Sequence, residues 1–65
     1  MKVSYFDDTD TLYIEFIDAQ IHETRELDDN TLLDVDSQGR LCALTVEHAS
    51  RRADIEHISV QGLSQ

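Results

Sequence analysis

The chain has 65 residues, and its 14 Asp and Glu against five Lys and Arg leave a net charge of −9. That length holds one small domain, residues 1–65, and excludes two. The charge repels phosphate backbones and anionic headgroups, which excludes direct nucleic-acid and membrane-surface binding. The imbalance is uneven: residues 1–36 carry eleven acids and two bases, while residues 37–65 carry three of each. The acids are interleaved with Val, Ile, Leu, Phe and Tyr rather than blocked together, so the composition favours a fold over disorder.

Residues 2–6 alternate, with Val3 and Tyr5 on one side and Lys2, Ser4 and Phe6 on the other, which predicts an opening strand. Asp7-Asp8-Thr9-Asp10 reads as a turn. The clearest strand follows: Leu12, Ile14 and Phe16 share a face directed at the core, opposite Thr11, Tyr13, Glu15 and Ile17. After a weak turn at Asp18-Ala19-Gln20, residues 21–27 are mostly polar on both sides, as suits an edge strand. Asp28-Asp29-Asn30 is a second turn cluster, because short polar side chains satisfy local backbone donors. Residues 31–36 and 40–48 then flank Ser37-Gln38-Gly39, with Gly39 at the left-handed position of a tight connection. The returning strand has apolar atoms on both faces, Cys42, Leu44 and Val46 against Leu41 and Ala43, which predicts a central place. From Ala49 to His57 the period lengthens toward a short helix, and residues 58–61 read as a last short strand.

The fold expected from this pattern is α+β, mainly β: a small antiparallel meander of four or five strands in chain order, with a short C-terminal helix packed on one face. Its core should comprise Val3, Tyr5, Leu12, Ile14, Phe16, Leu33, Val35, Cys42, Leu44, Val46 and Ile58. A sheet this small exposes edges, and a homodimer would cover them.

The motifs that carry chemistry are thin. Asp34, Asp36, Gln38 and Gly39 pass four tests of a calcium loop, but Thr45 stands where a bidentate Glu belongs and the flanks alternate like strands. A hairpin with solvated Asp side chains fits better. Asp7, Asp8 and Asp10 share one loop that offers carboxylates to a cation, yet Asp clusters are ordinary turn chemistry. His22, Cys42, His48 and His57 have no zinc-ligand spacing. No triad stands out, Cys42 lies mid-strand where it behaves as a small hydrophobe, and so small a sheet leaves little room for a substrate pocket. The chain is therefore read as no enzyme, with no cofactor and no metal. Ala49-Ser50-Arg51-Arg52, the only basic cluster, offers pairing with the acidic first half, within one protomer or across a dimer; the favoured reading is that Ser50 caps the expected helix and the arginines are solvated.

No apolar run approaches the ~18 residues that span a bilayer. Met1-Lys2-Val3-Ser4-Tyr5 lacks a secretory apolar stretch, which with one cysteine suits the cytoplasm.

Met1-Lys2-Val3-Ser4-Tyr5, Asp10-Thr11-Leu12-Tyr13-Ile14, Glu26-Leu27-Asp28-Asp29-Asn30, Leu33-Asp34-Val35-Asp36 with Gly39-Arg40-Leu41, and Ala49-Ser50, in this order, resemble the small bacterial family named domain of unknown function 2283. The resemblance spans about residues 1–52 and implies a stand-alone small protein with an antitoxin-like role beside small toxin-like proteins. It implies no catalytic residues. Phe6 departs from the Asp common after the Tyr, and residues 54–65 are individual to this chain.

The functional expectation is a protein-binding module that engages a basic protein through Asp7, Asp8, Asp10, Asp28 and Asp29, complementary charge speeding the encounter. The alternative is a self-associating accessory protein in which the acids serve solubility.

Overall fold

The computed structural model describes residues 1–52, and they form one antiparallel five-stranded sheet. The strands are β1 (Lys2–Phe6), β2 (Thr11–Glu15), β3 (Glu23–Asp28), β4 (Thr31–Val35) and β5 (Leu41–Glu47), followed by a 3-10 turn at Ala49–Arg51.

Their order across the sheet is β1-β2-β5-β4-β3, which corrects the expected meander in chain order. The physical reason lies in β5 and β3. Strand β5 carries apolar atoms on both faces and buries Cys42 and Ala43, so it gains most between two neighbours. Strand β3 is exposed along its whole length and belongs at an edge. Residues 16–22 carry the chain from β2 to the far edge, opening the gap that β5 fills. The edge place of β3 and the central place of β5 are as the alternation predicts.

Register sets the faces. Val3 pairs with Ile14 and Tyr5 with Leu12; Leu12 pairs with Val46 and Ile14 with Leu44; Val46 in turn pairs with Thr31 and Leu44 with Leu33. One continuous row of apolar side chains therefore crosses from β1 to β4 on one face. On the other face Ser4, Tyr13, Thr45 and Leu32 form a mixed row, and Thr24 Oγ1 donates to Asp34 Oδ1 across β3 and β4 at 2.7 Å.

Burial is graded from centre to edge. Leu12, Val35 and Cys42 are buried as expected, whereas Ile14, Phe16, Leu33, Leu44 and Val46 are half-buried. Val3 and Tyr5, both expected in the core, are 38% exposed because β1 has only one neighbouring strand. Ala43, Ala49, Thr31 and Asp36 are buried without having been assigned to the core. Ile58 lies outside the described residues, as do most of the expected helix and the last short strand. What the described residues contain in place of a helix is the single 3-10 turn, entered through His48 in the left-handed conformation (φ 54).

The β4–β5 connection closes as its sequence requires. Gly39 takes φ 80, its N–H donates to Asp36 C=O at 3.0 Å, and Asp36 N–H donates to Arg40 C=O at 3.1 Å. A left-handed residue at this point costs least when it is glycine.

Candidate protein-binding surface

Both expected acidic turns fall at the same end of the sheet. Strand β1 ends and β2 begins there, β3 ends and β4 begins there, and β5 runs out between them, as the pairs Phe6 with Thr11, Thr11 with Glu47, Thr31 with Val46 and Asp28 with Thr31 require. The segment after β5 lies between the two turns and holds both.

On one side it engages Asp10. Ala49 N–H donates to Asp10 C=O at 2.9 Å, Ser50 N–H to Asp10 Oδ1 at 3.1 Å and Ser50 Oγ to Asp10 Oδ2 at 2.7 Å. The Tyr5 hydroxyl donates to the same carboxylate. Asp10 itself adopts φ 52, a left-handed conformation that Asp tolerates better than most side chains. These donors stabilise the ionised carboxylate: the Tyr5 hydroxyl first, then Ser50, hold Asp10 below its ordinary pKa, while the Asp10 carboxylate pushes the Tyr5 phenol above its own.

On the other side the segment engages the β3–β4 turn. Glu47 N–H donates to Asn30 C=O at 2.7 Å, and Arg52 donates to the buried Thr31 hydroxyl and pairs with Asp28 at 3.4 Å. Asp28 also accepts the Asn30 N–H at 2.9 Å. The Asn30 backbone, then the Thr31 hydroxyl, and with them the Arg52 charge, hold Asp28 below its ordinary pKa.

The five expected binding residues therefore divide. Asp10 and Asp28 are brought together with the 3-10 segment and spend their acceptors on the chain itself. Asp7, Asp8 and Asp29 are exposed beside them, and Glu47, which the sequence reading left out, is exposed between the turns. Ser50 is no helix cap through its side chain; it binds Asp10 from 40 positions away. Arg52 pairs with the acidic first half within the chain, the alternative reading of the basic cluster, instead of standing solvated.

The opposite end of the sheet is ordered by a third carboxylate. Asp36 is 6% exposed and accepts Gln38 N–H and Arg40 N–H at 2.9 Å each and Arg40 Nε at 2.7 Å. The Arg40 backbone N–H is the main cause of its lowered pKa, with burial opposing. This loop is the hairpin expected in place of a calcium site, but Asp36 is buried and bonded, which corrects its reading as solvated.

Cys42 is fully buried, and burial pushes its thiol up, away from the reactive thiolate. Among the described residues no group of three or more His, Cys, Asp and Glu is arranged to hold a metal ion, and no helix is long and apolar enough to cross a membrane. Two open clefts of about 180 Å³ lie away from the acidic end, one lined by Lys2, Glu15, Phe16 and Asp18, the other by Gln20, Ile21, His22 and Ser37.

The fold and this end define a small acidic antiparallel-sheet protein whose turns are locked by its own side chains. The model of the family described as "Protein of unknown function (DUF2283)" matches residues 2–50, and the chain belongs to that family. No curated protein and no solved structure matches it.

Proposed function

We propose that the chain is a non-enzymatic protein-binding module of the bacterial cytoplasm that neutralises a basic protein, in the manner of an antitoxin, through the acidic end of its sheet. The observation that carries this reading is the convergence there of Asp7, Asp8, Asp29 and Glu47, all exposed, on turns that Asp10 and Asp28 lock. Carboxylates held on ordered turns lose less freedom on binding than the same charges on loose loops. Their combined field also draws in and orients a basic partner.

The test is a pull-down at low salt with the tagged full chain from its source cells, beside an Asp7→Asn, Asp8→Asn, Asp29→Asn triple variant. A small basic protein near one-to-one stoichiometry, released by salt and lost with the variant, is the expected result. Equal capture by the variant, or capture of self-copies alone in an assay shown to retain weak complexes, would overturn it. A second reading, self-association without a dedicated partner, is favoured by one separate observation: the β1 edge carries exposed Val3, Tyr5 and Phe6.

A further inference from the structure

The two outer strands of the sheet are built differently. In β3, Glu23, Arg25, Glu26 and Asp28 are charged, and a register shift between Glu26 and Asp28 distorts the ladder. Charge and bulges are the devices by which proteins stop an edge from pairing with another strand. Strand β1 has no bulge and a single charge: its register against β2 is unbroken, Lys2 is its only charged residue, and Val3, Tyr5 and Phe6 are 38%, 38% and 51% exposed.

The hydrogen-bond phase of the sheet shows which groups that edge presents. Phe16 N–H donates to Cys42 C=O at 2.7 Å, one step beyond the pairing of Glu15 with Ala43. In an antiparallel ladder bonded and non-bonded pairs alternate. Ile14 with Leu44 and Leu12 with Val46 are therefore the bonded pairs of β2 and β5. The bond from Glu47 N–H to Asn30 C=O gives the same phase from the other side of β5. It follows that Thr11, Tyr13 and Glu15 bond to Phe6, Ser4 and Lys2. Val3 and Tyr5 are left with their N–H and C=O groups directed away from the sheet; among the described residues β1 has no second neighbour.

We propose that this edge pairs with the same edge of a second copy, β1 against β1 in antiparallel sense about a two-fold axis at Ser4. This register places Val3 opposite Tyr5 of the second copy and Tyr5 opposite its Val3. All four outward residues then fall in bonded pairs, and the close non-bonded pair at the centre is Ser4 with Ser4. On the apolar face the Val-Tyr pairs continue the row that begins at Leu33 and Leu44. On the other face Lys2 lies opposite Phe6, a cation beside an aromatic ring. Charge selects the direction. Parallel pairing would set two Asp7-Asp8 turns side by side, about 5 Å apart, whereas antiparallel pairing sends them to opposite ends and brings each one toward a Lys2. The segment thus complements itself when reversed, which is what an isologous interface demands.

This inference does not rest on the proposed partner: it uses another surface and main-chain bonds that salt does not screen. The experiment is sedimentation equilibrium on the full chain at low and high salt, with Ser4→Lys and Ser4→Glu variants alone and mixed, each first checked for a native circular dichroism spectrum and cooperative melting. A salt-tolerant dimer of about twice 7.4 kDa is expected. Either variant alone should weaken dimerisation at least tenfold, through like charges at the axis, and an equimolar mixture of the two should restore it as a heterodimer. Val3→Pro, which removes an outward N–H without touching the β1–β2 ladder, should weaken the dimer too. A wild-type chain that stays monomeric at millimolar concentration would overturn the proposal, as would a dimer indifferent to Ser4→Lys and Val3→Pro or failure of the mixture to recover. If residues 53–65 of the same chain cover this edge instead, the monomer will protect the Val3 and Tyr5 amides from hydrogen exchange.

Discussion

Each end of this sheet is ordered by an aspartate, and the two aspartates work over different distances. Asp36 bonds to residues two and four positions ahead, closing a turn that its own neighbours define. Asp10 bonds to Tyr5 and to Ser50, so it joins the edge strand, the first turn and the segment that follows the last strand. Both carboxylates are held below their ordinary pKa by the donors they collect. The difference is in what each depends on. The Asp36 turn needs only local chain, whereas the Asp10 junction exists only after β5 has inserted beside β2 and brought Ser50 into reach. The acidic surface proposed to bind a partner therefore stands on the end whose order is won by tertiary structure, and it should be the more easily loosened of the two.

The largest expected effect comes from Leu12→Ala. Leu12 is 6% exposed, two residues from Asp10, and pairs with Tyr5 on one side and Val46 on the other. Truncation should cost about 2–5 kcal/mol, the usual range for a buried leucine, read from urea unfolding. The comparison of ends adds a sharper expectation for whatever fraction remains folded: the Ser50 amide should lose hydrogen-exchange protection well before the Gln38 and Arg40 amides do. Equal loss at both ends would mean that the sheet opens as one unit and that the distinction between local and long-range junctions has no energetic content.

Gly39→Ala probes the other end with a smaller expected change. At φ 80 a side chain is strained, but an added Cβ would meet nothing within 4 Å. The cost should therefore be the backbone term alone, about 1–2 kcal/mol, with the urea midpoint lowered and the Ser50 amide unaffected. A much larger loss would show that the Asp36 turn is coupled to the rest of the sheet.

How much of this was legible in the sequence follows the same division. Period-2 alternation located all five strands, the polar edge of β3 and the central β5, and turn chemistry located the left-handed Gly39, because each depends on residues close together along the chain. Strand order did not follow from it, since alternation assigns a residue to a face and is silent on which strand lies next to which. The apolar atoms on both sides of β5 were the available signal, since they suit a strand held between two neighbours, but they do not say which two. Val3 and Tyr5 were assigned to the right face and the wrong depth, because depth at an edge depends on a neighbour that alternation cannot count. At the candidate site, the acidic turns were visible as turns, and Asp28 accepts the local Asn30 N–H as that reading expects. The bonds that tie Asp10 to Ser50 and Asp28 to Arg52 were not visible, because those partners lie 40 and 24 positions away. Asp36 was misread for a different reason. Its local spacing was recognised, and the burial that follows when a turn folds over its own carboxylate was not.

The smallest effect is the most specific to the long-range junction. Ser50 donates both its hydroxyl and its backbone N–H to Asp10, and Ser50→Ala removes only the hydroxyl. Asp10 is lowered from an ordinary value of 3.8, so its folded form favours the carboxylate. A group lowered in this way contributes stability that is present above its unfolded pKa and is lost as pH falls through the folded one. With the hydroxyl gone, the folded value should move up toward 3.8 while Tyr5 and the Ser50 amide keep it from arriving there. Acid destabilisation should then span a narrower pH window, with little change in melting at neutral pH. A carboxyl NMR titration reads this directly: Asp10 moves up, and Asp36, whose donors are untouched, stays where it was. Movement of both carboxylates together would show that the two ends share one electrostatic environment, and an unmoved Asp10 would show that Tyr5 and the Ser50 amide set its titration without the hydroxyl.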